Sequence, residues 1–124
     1  MPNLVNLDIS TRLDITCRKG DTFNLNITVN DSSGVALDLT LYSFKMEVRE
    51  TDTTEASTVI PNGGSGFVLA GTSLGALSSQ VLAANMAAIA AGMYVYDLEA
   101  TKTSTGVVTT WFYGLFTVNE DIAV

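Results

Sequence analysis

The stretch Gly92-Met93-Tyr94-Val95-Tyr96-Asp97-Leu98-Glu99-Ala100 constrains this chain more than any other. Before it runs an alanine-rich segment of helical character. After Gly92 the apolar residues recur every second position. Tyr94, Tyr96, Leu98 and Ala100 then share one face, and Met93, Val95, Asp97 and Glu99 the other. Gly92 is placed where a helix C-cap wants positive φ, so it is expected to stop the helix and re-aim the chain into a strand.

The same alternation recurs upstream. Over residues 22–29, Phe23, Leu25, Ile27 and Val29 oppose Thr22, Asn24, Asn26 and Thr28, the pattern of an antiparallel strand with one solvated face. Over residues 41–50, Tyr42, Phe44, Met46 and Val48 point inward, with Ser43, Lys45, Glu47 and Arg49 outward. That outer face mixes both charge signs and suits pairing with a strand carrying Asp97 and Glu99. Residues 13–18 form an earlier strand, in which Cys17 joins Leu13 and Ile15 and reads as a small core hydrophobe. Shorter strands or extended links are expected at residues 35–39, 57–60, 67–70 and 76–78, separated by glycine-rich turns.

Ser79 is placed to cap a helix from about residue 80 to 91, with Leu82, Met86, Ile89 and Ala90 along one stripe. After the Gly92 strand, residues 101–106 turn the chain, with Gly106 in a left-handed position. The last strand, residues 107–118, is apolar on both faces. Val108, Phe112, Phe116 and Val118 share one, Trp111, Tyr113 and Leu115 lie on the other, and Gly114 marks a bulge. Such a strand is covered on both sides, by its own chain or by another subunit. Residues 1–12 read as an arm or edge strand whose Leu4, Val5 and Leu7 either fold back or go to a neighbour; residues 13–124 form one domain. Gly-x-Tyr-x-aromatic leading a late strand is also how the tyrosine corner of an immunoglobulin-like sandwich reads, with Tyr96 where antibody domains carry a cysteine. The expected fold is therefore an all-β, immunoglobulin-like antiparallel sandwich with one short helix.

Composition excludes several functions. At 124 residues the chain is long enough for one two-layer core. Its net charge of −7 disfavours phosphate backbones and anionic lipid, so neither nucleic acid nor membrane is an expected partner. No histidine is present, which removes the commonest general base and metal ligand. No serine sits in a Gly-x-Ser-x-Gly elbow, and the run Pro61-Asn62-Gly63-Gly64-Ser65-Gly66 lacks the Gly-Lys-Ser/Thr ending of a phosphate loop. Glu50, Asp52 and Glu55 in one loop, and Asp31 in another, do not match the alternating ligands of a calcium loop. No catalytic, cofactor or metal residue is predicted. The single cysteine allows no internal disulfide. Met1-Pro2-Asn3 lacks the start of a signal peptide, and the longest apolar run, residues 81–96, is short for a membrane span.

The order of parts carries a resemblance. Gly20-Asp21-Thr22-Phe23-x-Leu25-x-Ile27 is followed by Ala36-Leu37-Asp38-Leu39-Thr40, then Met46-Glu47-Val48-Arg49. Next come Ala91-Gly92-Met93-Tyr94-Val95-Tyr96-Asp97-Leu98 and Gly114-Leu115-Phe116-Thr117-Val118 before Asp121-Ile122. This series resembles the immunoglobulin-like domain at the amino terminus of tailed-bacteriophage baseplate upper proteins, and related small tail and neck proteins. The resemblance implies a non-enzymatic virion component, made in the host cytoplasm, that assembles with other virion proteins as a homo-oligomer or symmetric ring. It brings no catalytic or ligand residues. The shaft and receptor-binding parts of the longer proteins are not in this sequence, which favours an adaptor or accessory role. Rival expectations are a capsid decoration or head-fibre protein, and a carbohydrate-binding module in which Trp111 and Tyr113 form an exposed platform.

Overall fold

The computed structural model describes residues 10–31, 33–51, 57–120 and 122. Among these residues nine strands follow in order: β1 (Thr11–Arg12), β2 (Ile15–Arg18), β3 (Phe23–Thr28), β4 (Tyr42–Arg49), β5 (Thr58–Ile60), β6 (Val68–Gly71), β7 (Ala76–Val81), β8 (Gly92–Lys102) and β9 (Val108–Asn119). A 3₁₀ turn (Leu39–Leu41) precedes β4, and a four-residue helix, α1 (Ala83–Met86), follows β7. One sheet has the order β1-β9-β8-β4-β5, with β2 continuing beside β9; the other is β3-β7-β6. β1 and β2 run parallel to β9, and every other pairing between these strands is antiparallel. The expectation of an all-β sandwich is met.

The two sheets close on the faces that the alternation marked. Phe23 from the smaller sheet meets Phe116 and Phe67 at ring-centroid distances of 5.3 and 5.6 Å, and Tyr96 joins Phe116 at 6.2 Å. Met46, Val48, Leu77, Val81, Leu98 and Val118 complete the core. Full burial of such side chains contributes about 1.5–3 kcal/mol each, so this cluster outweighs any surface interaction in the molecule. Met86, fully buried, is what the short helix adds to it.

That helix differs from expectation. Ser79 does not cap it: Ser79, Gln80 and Val81 belong to β7, where Ser79 pairs with Leu25 and Val81 with Phe23. The ladder offered by β3 outweighs alanine-rich helix propensity, which is worth only tenths of a kcal/mol per residue. Buried Ser79 reaches the Met46 sulfur at 3.5 Å. The helix N-cap is Leu82, with no side-chain bond. Gly92 is consequently not a C-cap; its φ is not positive, and it is the first rung of β8, opposite Val118. The tyrosine corner is present nonetheless: the Tyr94 hydroxyl donates to the Ala90 carbonyl at 2.7 Å and secures the turn into β8. Gly106, at φ 72°, occupies the expected left-handed position.

Candidate functional site

The first strand is split where β9 needs room. β1 places Arg12 beside Tyr113, and β2 resumes the same register with Ile15 beside Phe116. Between them the Leu13 N–H donates to the Tyr113 carbonyl at 2.8 Å, and the Leu115 N–H donates to Asp14 Oδ1 at 3.0 Å. The Tyr96 hydroxyl donates to the Leu13 carbonyl from below. Gly114 is required here, because a Cβ would meet Asp14 Oδ1 at 2.6 Å and the Leu13 oxygen at 2.7 Å. Gly114 is therefore not a bulge. It pairs regularly with Tyr96, and the irregularity lies further back, where Leu98 opposes Phe112 but Glu99 opposes Thr110.

The extra residue at that irregularity is Trp111, and this corrects the predicted face. Trp111 packs on Tyr42 at 5.1 Å and Phe44 at 5.6 Å, both inward-pointing residues of β4. Only Tyr113 and Leu115 of the predicted trio stay on the outer face, with Tyr113 39% exposed and Leu115 partly buried. A bulge inserts one residue against one strand, so the period-2 reading inverts across it. Trp111 and Tyr113 are thus not a joint platform. Leu4, Val5 and Leu7, the other interface candidates, lie outside the described residues, as do Asp52 and Glu55.

Around Tyr113 and Leu115 the outer face of the larger sheet is concave, enclosing about 530 Å³. Its rows follow from the register. One runs Arg12, Tyr113, Asp97, Glu47; the next runs Asp14, Leu115, Val95, Arg49; Lys45 and Glu99 stand opposite one another beside the first. The expected pairing of β4 with β8 is present, but the ion pairs run along β4: Lys45 and Arg49 each approach Glu47 at 3.5 Å. Glu47 and Asp97 are left facing each other across the strands. Burial, Glu99 and Glu47, in that order, raise the pKa of Asp97 against the opposing effect of Lys45 and Arg49. The Leu115 N–H, and then Arg12 at 3.1 Å, hold Asp14 below its ordinary value.

Elsewhere the chemistry is sparse. Cys17 is partly buried, its Sγ 3.6 Å from the Thr117 carbonyl, and burial with the charge of Asp21 pushes its thiol up to about 11. Among the described residues no three histidine, cysteine or carboxylate side chains converge on one point. A smaller concavity of about 270 Å³ beside α1, between Pro61 and Ile89, has no titratable group in its lining.

No protein-family model matches the chain, and no curated protein matches it in sequence. Among solved structures it is similar to the NK cell receptor Nkp44, a triggering partner in natural cytotoxicity, at 10% identity over 89% of this chain and 100% of that one, with a TM-score of 0.50. That likeness shows the fold, an immunoglobulin-like β-sandwich. A family 123 glycoside hydrolase from Clostridium perfringens aligns at 13% identity and a TM-score of 0.39, over 97% of this chain and 24% of that one; a likeness of that size carries no argument.

Proposed function

We propose that this chain is a non-enzymatic structural component of a bacteriophage virion, an adaptor or accessory protein of the tail, baseplate or neck, that works by contact with other virion proteins. The observation that carries the contact is the outer face of the larger sheet, which no other described element covers. Tyr113, Leu115, Val95 and the 66% exposed Met93 lie together there, ringed by charged side chains of both signs. Apolar residues with an aromatic at the centre and a charged rim are the make-up of a protein–protein interface. The virion assignment is supported by the sequence resemblance that runs from Gly20 to Ile122.

The glycan-binding alternative needed Trp111 and Tyr113 side by side on the surface, and the bulge at Trp111 removes that arrangement. The test is compositional. Particles banded from a lysate of cells carrying the gene are expected to contain this chain in stoichiometric copies by quantitative mass spectrometry. Tyr113→Ala is expected to deplete it from them while leaving the isolated chain folded. Particles that form normally without the chain would end the proposal.

A further inference from the structure

We infer that the concave face of the larger sheet is the contact between two copies of this chain, packed face to face about a two-fold axis that runs along the strands between β8 and β9. The inference rests on the reading of this face as a protein contact and names its occupant. Its argument is charge complementarity. Among the described residues the face gathers three of the chain's six cationic side chains, Arg12, Lys45 and Arg49, against four of its thirteen carboxylates, Asp14, Glu47, Asp97 and Glu99. Those seven side chains sum to within one charge of neutral on a molecule whose net charge is −7. Two acidic copies repel each other through most of their surface and least through this part of it.

The order of the charges matters more than their sum. Positions along a row are spaced at about 4.8 Å, the distance between neighbouring strands. A two-fold axis between β8 and β9 maps the first position of each row onto the last of its mate. In the first row Arg12 then faces Glu47 of the other copy, and Tyr113 faces Asp97, a hydroxyl donor opposite a carboxylate acceptor. In the second row Leu115 faces Val95, apolar on apolar, and Asp14 faces Arg49. Each contact occurs twice, as an isologous interface requires. Twisted sheets stack with their strands within about 30° of parallel, which this axis allows. The intramolecular pair Arg12–Asp14 is an exposed surface pair, easily exchanged for an intermolecular one; Arg49 and Glu47, partly buried and 3.5 Å apart, form a longer pair whose charges a second copy would share.

The two-fold makes an unusual demand on charge reversal. Arg12→Glu puts like charges together at both copies of the first contact, and Glu47→Arg does the same with the opposite sign. Mixed in equal amounts, the two variants restore opposite charges at both contacts of a heterodimer. Sedimentation velocity over roughly two decades of concentration is expected to show a dimer for the wild type, since self-association follows mass action. Each single variant is expected to dissociate at least about tenfold more readily, and the mixture to recover to within about threefold of wild type. Thermal melts establish that each variant is folded.

A wild-type chain that stays monomeric throughout, or single variants that dimerise undiminished, would overturn the inference. So would a mixture of folded variants that does not recover. If the monomeric chain still enters particles in a Tyr113-dependent way, the face is a contact for a different protein: the two-fold is wrong and the assembly reading stands. If the dimer forms as described but the chain is absent from particles, the two-fold stands and the virion assignment falls.

Discussion

Replacing Gly114 by alanine tests how the first strand is held to the sheet. The added Cβ would lie 2.6 Å from Asp14 Oδ1, 2.7 Å from the Leu13 oxygen and 3.0 Å from the Leu13 carbonyl carbon. Two of these three atoms are backbone, so relief requires the whole Leu13–Asp14 segment to move off β9. That displacement takes with it the bond from the Leu13 N–H to the Tyr113 carbonyl and the bond from the Tyr96 hydroxyl to the Leu13 carbonyl. The first is worth about 1 kcal/mol net, and losing the second, which leaves a largely buried hydroxyl unmatched, costs about 1–3 kcal/mol. The expected cost is about 2–4 kcal/mol, before any loss at the exposed Asp14. For a domain of this length each kcal/mol lowers the melting temperature by about 4 °C, giving a fall of about 8–16 °C. Circular-dichroism melts and urea titration measure it. Two variants calibrate the result. Tyr96→Phe removes the hydroxyl alone and should cost about 1 kcal/mol. Gly34→Ala, at φ 80° with open space around it, should cost about 1–2 kcal/mol from backbone conformation alone. Because Gly114 and Tyr96 act on one segment, the double variant should lose less than the sum of the singles. A Gly114→Ala protein melting within about 3 °C of wild type would refute the reasoning.

Trp111→Ala, which empties the space between Tyr42 and Phe44, should destabilise the isolated chain by about 2–3 kcal/mol, whereas Tyr113→Ala should leave its urea midpoint nearly unchanged. Cys17, its thiol raised from 9.0 to about 11, should react with iodoacetamide at pH 8 about a hundredfold more slowly in the native chain than in urea. Because the native state holds this proton more tightly than the unfolded state, the stability linked to it is complete below pH 9.0 and is lost as pH rises to about 11. Urea titrations of wild type and Cys17→Val across that window should differ in slope.

The parts of this architecture legible in the sequence are those where one rule acts alone. Phe23 to Thr28, Tyr42 to Arg49 and the strand after Gly92 alternate cleanly because each has one covered face, and all three are strands. The helix expected over about residues 80–91 exceeds the observed Ala83–Met86 at both ends, and at its start residues 79–81 satisfy two rules at once. Their composition allows a helix, but β3 and β6 flank β7 and share its backbone groups, β3 as far as Val81, and no local pattern records the presence of those partners. The candidate face was half legible. Tyr113 and Leu115 follow from alternation counted back from Val118, and the adjacent bulky pair Trp111-Phe112 was the available sign that the count fails beyond it. The mixed charges of β4 and β8 were visible, but their arrangement into rows needed the register of three strands and the parallel edge strand supplying Arg12 and Asp14.

The parallel edge has a mechanical consequence. A pull applied at Ser10 and Glu120, directed apart, travels along β1 and β2 in one direction and along β9 in the other. The bonds from Thr11 to Arg18 against Phe112 to Asn119 then carry the load side by side and in shear, rather than parting one after another like a zip. Rupture must break them together, so this edge resists tension in proportion to its length. The locked crossing at Leu13 and Asp14 makes that length continuous where the strand itself is interrupted.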